Sequence, residues 1–284
     1  MHLPTIRDVY QAKKTIAPYI TRSPLHFSGG LSDLLDAEVY LKHDEHLPLG
    51  AFKARGGINL LANLSQEERN RGVITASTGN HGQSIANACR IFGSRALIAL
   101  PENANPLKVA AMKALGAELI FHGENFDQAR GYCERLAAEE GYRYAHPANE
   151  PLLIAGVATE TLEVVEDLPD VEVILMPLGG GSSAAGACIV AKAISPDIKV
   201  IAVQSKSAPG GYRSWEAGRL VEDVNQTIAE GLATASGYEL PQAVLRKHLD
   251  DFVLVSDDEI RCAIGLSLIH ISEPTSRYAI SYAV

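Results

Sequence analysis

Residues 72–100 read GVITASTGNHGQSIANACRIFGSRALIAL. The stretch opens on an apolar β-rich run, GVITAS, and passes through a loop of small and hydroxyl residues, STGNHGQS at 77–84. It then continues in an alanine-rich helical pattern and closes on a second apolar run, ALIAL at 96–100. A strand apolar on both faces, followed at once by a helix, belongs in a parallel sheet covered on both sides. The alternation extends outward: VYLK at 39–42, AELIF at 117–121, VILMPL at 173–178 and VIAVQ at 200–204 are further β-rich runs, and NPLKVAAMKALG is a further helical one. The fold class is therefore α/β, with parallel-rich sheets covered by helices. Residues 71–147 read as a compact βαβαβα unit and a second sheet begins near 173. That predicts a small domain, 71–147, inserted in a larger discontinuous one, 1–70 with 148–265. Ligands are expected where strand C-termini feed helix N-termini.

The 284 residues are 46% hydrophobic and 21% charged, the composition of a globular, enzyme-sized chain. A net charge of −9 with no basic run gives nucleic acid and anionic membranes no electrostatic footing, so small molecules or a second copy are the expected partners. Cys89, Cys133, Cys188 and Cys262 are widely separated, with no C-x-x-C pair and no histidine at metal-ligand spacing, which reads as a reducing, cytoplasmic setting. The N-terminal MHLPTIRDVYQAKK lacks the apolar centre of a signal peptide, and no apolar run reaches membrane-spanning length.

Three stretches carry chemistry. STGNHGQS leaves backbone N–H groups at a helix N-terminus, where a carboxylate or phosphate is favoured, although a cap made by Ser77 or Thr78 accounts for the same residues. LGGGSSAAG at 178–186 also joins an apolar strand to a helix. Its three glycines let backbone approach a ligand closely and form a nest for phosphate, or else make a tight strand-to-helix turn. The spacing is not G-x-G-x-x-G, and no Walker lysine follows. LPLGAFKARGG at 47–57 sets Lys53 between Phe52 and Arg55 and ahead of a Gly56–Gly57 pair that an ordinary helix interior avoids. An amine becomes nucleophilic, or forms a Schiff base with an aldehyde, when burial or a neighbouring positive charge depresses its pKa. Phe52 and Arg55 are placed to supply both.

Taken together, the three stretches resemble the fold-type II pyridoxal-phosphate enzymes, within them the threonine/serine dehydratase (ammonia-lyase) and serine racemase group. The group's lysine motif, G-S-F-K-x-R-G, is matched by Gly50 to Gly56, its S-x-G-N-H loop by Ser77 to His81, and its glycine-rich loop by Gly179 to Ser182. The resemblance runs from TRSPL at 21–25 to FVLVSDDEI at 252–260. It implies a two-domain, tryptophan synthase β-like fold that binds pyridoxal 5'-phosphate and is usually a homodimer. Lys53 is implied as covalent anchor and as the base that takes the Cα proton. Phe52 and Asn80 contact the cofactor, Asn80 through the ring hydroxyl, while Gly179, Gly180, Gly181 and Ser182 cradle its phosphate. Backbone N–H groups of Ser77, Asn80 and His81, in a loop that includes Thr78, clamp the substrate carboxylate with help from Arg130. The implied reaction eliminates water from a hydroxy amino acid such as L-threonine or L-serine, and hydrolysis of the dehydrated product then gives a 2-oxo acid and ammonia.

Departures sharpen the expectation. Thr78 replaces the serine that racemases of the group use as a second acid/base, so racemisation is the lesser expectation. The group's divalent-metal ligands correspond to Gln204, Ala208 and Gly210, which lack charged oxygens, so no metal is expected there. QSKSAPGGYRSWEAG looks closer to hydroxyectoine-utilisation dehydratases, which makes a larger hydroxylated diamino acid a rival substrate. His43, Asp44 and His46 read either as pocket residues or as a solvated strand end. Ala51, Leu47 and Leu49 read as an apolar pocket entrance. From Leu266, LSLIHISEPT resembles a translated sequencing-library adaptor, so 266–284 is read as a non-native tail. The serine or threonine that bonds the pyridine nitrogen in the family is then missing, and a catalytically dead small-molecule binder is the reading of another class.

Overall fold

The computed structural model describes residues 2–270. The chain begins with α1 (Ile6–Ile16) and an antiparallel pair, β1 (Leu25–Phe27) and β2 (Tyr40–Lys42), flanking α2 (Gly29–Leu35); α3 (Lys53–Asn63) and α4 (Gln66–Arg71) follow. Next come β3 (Val73–Ala76), α5 (Asn80–Phe92), β4 (Ala96–Leu100), α6 (Pro106–Ala114), β5 (Glu118–Phe121), α7 (Phe126–Glu140) and β6 (Arg143–Tyr144). Then α8 (Pro151–Val157) and α9 (Thr159–Asp167) lead to β7 (Val173–Pro177), α10 (Ser182–Ile194), β8 (Lys199–Ser205), α11 (Gly210–Glu216), α12 (Glu239–His248), β9 (Asp251–Val255) and α13 (Asp257–His270). The tail read as foreign, 266–284, reaches outside the described residues. No helix among them is long and apolar enough to cross a membrane.

Two parallel sheets result, ordered β5-β4-β3-β6 and β7-β8-β9. Each run read as a strand is one, with ends within one residue of expectation. In the first sheet, Val73, Ile98 and Leu100 pack with Ile85 of α5 and Met112 of α6, while Ile74, Ala76, Leu97 and Ala99 pack with Cys133 and Ala137 of α7. Both faces are covered, which is why the strands tolerate no polar alternation. In the second sheet, Ile174, Met176, Val200, Ala202 and Phe252 join Leu162 of α9, Ala187 and Val190 of α10 and Val244 of α12 in one core. Only one of its faces is closed in this way.

Helix α3 packs against α5 and α8 and carries the lysine motif. The Gly56–Gly57 pair, read as unsuited to a helix, lies inside α3. A Cβ on Gly57 would meet the Ser84 carbonyl oxygen of α5 at 2.7 Å, one on Gly56 would meet the Leu153 carbonyl oxygen of α8 at 3.0 Å, and one on Gly156 would meet the Arg55 carbonyl oxygen at 2.8 Å. Backbone-to-backbone approach on two sides, rather than a turn, demands these glycines.

Candidate active site

Three helices begin at one place. Lys53 is the first residue of α3, Asn80 of α5 and Ser182 of α10. The Lys53 Nζ donates to Ser182 Oγ at 2.8 Å across 129 residues of sequence, and sits 5.0 Å from the centre of the Phe52 ring. Ser84 Oγ donates to the Lys53 carbonyl at 2.5 Å, tying the start of α3 to α5. Burial pushes the Lys53 amine down from its ordinary 10.5 to about 8.

Arg55 does not contribute to that depression, contrary to the sequence expectation. Its fully buried guanidinium turns away and forms paired bonds with Asp44 (2.8 and 2.8 Å) and with Glu163 (2.7 and 2.9 Å). Lys42 adds a second cation on Glu163 at 2.7 Å, and Ser23 Oγ bonds Asp44 at 2.5 Å. Burial alone would raise the Glu163 carboxyl, but the bonds and charges of Arg55 and Lys42 hold it below the usual range. Asp44 is therefore neither a solvated strand end nor a pocket residue. Its neighbours His43 and His46 stand on the outer side of the same short turn, half-buried and exposed. Leu47, Leu49 and Ala51 are likewise not a pocket entrance: Leu47 and Ala51 are buried, and Leu47 and Leu49 pack into the core around α3 and α5.

At the start of α5, Ser77 Oγ accepts from the N–H groups of Gly79 (3.2 Å) and Gly82 (2.9 Å). Its own N–H donates to Ala99 O at 3.1 Å, extending the strand ladder, so the expected carboxylate clamp is corrected to exclude that group. The N–H groups of Asn80 and His81 have no acceptor among the described residues, as the first turn of a helix dictates. Thr78 and Asn80 are exposed. The His81 side chain points inward. Thr75 gives its hydroxyl proton to Ala145 O at 2.7 Å, so His81 Nε2 carries the proton and donates to Thr75 Oγ1 at 2.9 Å. Burial, then the nearby Lys53 charge, lower the imidazole to about 3 and keep it neutral.

The glycine loop joins β7 to α10 as a tight turn. Gly181 has φ +83°, and a Cβ on Gly179 would fall against the Gly231 carbonyl oxygen, inside contact distance. A Cβ on Gly180 would touch the Tyr238 ring at 3.6 Å and Ala148 at 3.7 Å. Tyr238 stands edge-on to His146, ring centres 5.5 Å apart, and burial together with the Arg130 charge lowers His146 to about 4. Arg130, on α7, also pairs with Asp127 at 3.2 Å. Sequence reading missed His146, Tyr238, Thr75 and Ser84. The available signal for His146 was its place just beyond the C-terminus of β6, where this architecture puts its sites.

At the positions compared with a divalent-metal site, Gln204 accepts from the Tyr212 N–H at 3.0 Å and donates to Thr234 Oγ1 at 3.4 Å, while Ala208 N–H donates to Ser205 O. Gly210 abuts the Ala235 backbone.

An amine of lowered pKa beside a glycine cradle and two helix N-termini suits a phosphorylated aldehyde: the lysine for the carbonyl, the α10 loop for the phosphate. Comparison with known proteins agrees. The chain belongs to the pyridoxal-phosphate dependent enzyme family, whose profile matches residues 16–273. It is similar to the L-threonine ammonia-lyase of Thermotoga maritima, 39% identical over 261 residues that cover 92% of this chain and 65% of that protein, so it spans just under two thirds of that relative's length. It is also similar to the L-threo-3-hydroxyaspartate ammonia-lyase of Saccharomyces cerevisiae, 35% identical over 280 residues, 97% of this chain and 86% of the other. Among solved structures, maize serine racemase superposes with a TM-score of 0.91 at 31% identity, covering 95% of this chain and 82% of that one. The α/β class and the fold-type II architecture read from the sequence are those observed.

Proposed function

We propose that this chain is a pyridoxal-phosphate-dependent ammonia-lyase that converts a hydroxy amino acid of the L-threonine or L-serine type to a 2-oxo acid and ammonia. The observation that carries the proposal is the half-buried Lys53 amine, held 2.8 Å from the first hydroxyl of the glycine loop and shifted down to about 8. When bound, pyridoxal phosphate supplies an electron sink for charge developing at the substrate Cα. Lys53 would anchor it and would take the Cα proton at Nζ, for which a pKa near the working pH is the efficient value. Gly179, Gly180, Gly181 and Ser182 would hold the phosphate, and Phe52 and Asn80 would contact the ring. The N–H groups of Asn80 and His81 receive the substrate carboxylate beside Thr78, and Arg130 adds positive charge at the rim. In the net reaction the Cα proton and the Cβ hydroxyl leave as water, and a water oxygen then replaces the amino group, which leaves as ammonia.

The proposal extends to a cytoplasmic homodimer in which 71–147 forms a small domain set into 1–70 and 148–265; light scattering on the purified protein checks the dimer. The function is tested by adding pyridoxal phosphate to the protein and to Lys53→Ala. Wild type gains a visible absorption band and releases ammonia from L-threonine, L-serine or L-threo-3-hydroxyaspartate. The variant gains no band and loses activity by at least about 10²–10⁴-fold. A wild-type protein that stays colourless and releases no ammonia from any of the three overturns the proposal.

A further inference from the structure

The short turn between β2 and the lysine motif carries two faces of opposite use. Residues Asp44–His46 form a single 3₁₀ turn, with the His46 N–H donating to His43 O at 3.2 Å. In a 3₁₀ turn, side chains three apart eclipse one another. Here that brings the rings of His43 and His46 into a stack, centres 5.4 Å apart and planes 25° apart. Asp44 points the other way and is locked by Arg55 and Ser23, and the His43 N–H is fixed on Pro24 O at 2.9 Å. The outer face is thus held rigid by a buried anchor.

On that outer face, the donor atoms of His43, Glu45 and His46 all lie within 4.8 Å of one another. His43 Nδ1 and Glu45 Oε1 are 2.5 Å apart, and the ring of His26, from β1, stands 5.1 Å from that of His43. We propose that His43, Glu45 and His46 form a binding site for a divalent transition-metal ion of the zinc class, distinct from the pyridoxal-phosphate site. Two imidazoles and one carboxylate are the donor set that zinc takes at sites with an open position, whereas magnesium and calcium prefer all-oxygen shells. Tetrahedral coordination at about 2.0–2.2 Å sets donors roughly 3.3 Å apart, so the widest pair of this cluster closes by at most about 1.5 Å and the His43–Glu45 pair opens by about 0.8 Å on binding. The His43 side chain is only 14% exposed and that of Glu45 is 42% exposed, which leaves the ion reachable from solvent with a coordination position free for water. The site bridges the end of β2 to the segment that delivers Lys53, so an occupied site clamps that segment.

The test uses full-chain, tag-free protein saturated with pyridoxal phosphate and stripped of metal, titrated with Zn²⁺ against a colorimetric chelator. Wild type takes up one equivalent with micromolar or tighter affinity, and an excess of Mg²⁺ does not displace it. His46→Ala and Glu45→Gln, both solvent-facing changes that leave the fold intact by circular dichroism, weaken uptake at least about tenfold. Zn²⁺ raises the thermal midpoint of wild type but not of either variant. Lys53→Ala keeps the full zinc affinity, which separates this site from the cofactor site. Absence of stoichiometric uptake by wild type, or uptake equal in wild type and both variants, as binding at exposed Cys262 would give, overturns the proposal.

Discussion

In the sheet ordered β5-β4-β3-β6, every residue of β3 and β4 is buried, because α5 covers one face and α7 the other. In the sheet ordered β7-β8-β9, only alternate residues are buried. Ile174, Met176, Val200 and Ala202 face α9, α10 and α12, while Val173 is 45% exposed, Leu175 65% and Val253 41%. Leu175 pairs with Ile201, and Val203 pairs with Val253, so these side chains form a contiguous apolar strip on the open face. The strands themselves are equally apolar: VILMP looks no more exposed than ALIAL. A run of apolar residues records what a strand was built to meet, and the helices present decide whether it meets it.

The buried cluster of Arg55, Asp44 and Glu163, which belongs to neither sheet, is predicted to be the most sensitive place. Arg55→Met strips the shared cation from Asp44 and Glu163, both buried, and should cost about 3–5 kcal/mol in urea unfolding at neutral pH. Acid titration sharpens this. Despite the burial that opposes it, Glu163 is held below its ordinary pKa by Arg55 and Lys42, so in wild type its stabilising contribution is complete above the unfolded carboxyl's 4.5 and fades as pH falls through the lower folded value. Arg55→Met should flatten that acid limb. A variant as stable as wild type would mean that the buried cluster contributes no net stability.

The two faces are compared directly by matched truncations. Ile98→Ala, at a position with no exposure on β4, should lose about 2–5 kcal/mol, whereas Leu175→Ala on β7 should stay within about 0.5 kcal/mol. Similar losses for the two would show that something covers the second sheet in solution.

What could be read from the sequence follows the same division. Strand positions were legible because apolar runs bounded by loops have few other homes, and the three site loops were legible because Lys53, Asn80 and Ser182 each begin a helix just where local composition changes. Partners distant in sequence were not legible. Arg55 reads as a charge beside the lysine, yet its partners lie at 44 and 163; Gly56 and Gly57 read as a break, yet Leu153 and Ser84 dictate them. Leu47 reads as a pocket lip and is core, because nothing in LPLG announces that the following turn folds inward.

Desolvation of the Lys53 amine at the start of α3 carries a cost that the free protein must bear. Between about 8 and 10.5 the unfolded chain binds a proton that the folded chain does not, so stability rises with pH across that window and the penalty is complete below it. Lys53→Met should therefore raise the stability of cofactor-free protein at neutral pH by roughly 1–3 kcal/mol and remove that alkaline rise, while abolishing cofactor attachment. A variant less stable than wild type would show that the amine is solvated and the site looser than described.

The smallest thermodynamic change tests the open face alone. Leu175→Lys places a charge in the middle of the exposed strip, where the side chain already meets water, so the unfolding free energy should move by less than about 0.5 kcal/mol. Its effect should fall on association. The strip lies across β7, which among the described residues is an edge strand with no hydrogen-bonding neighbour on its free side, and a lysine on such an edge opposes pairing with another copy. Leu175→Lys should bind less of a hydrophobic-surface dye and stay dispersed at protein concentrations where wild type scatters light. If dye binding and scattering are unchanged while stability drops by 2 kcal/mol or more, on the scale of a core loss, the strip is covered, and the contrast between the two sheets lies in the strands rather than in what packs on them.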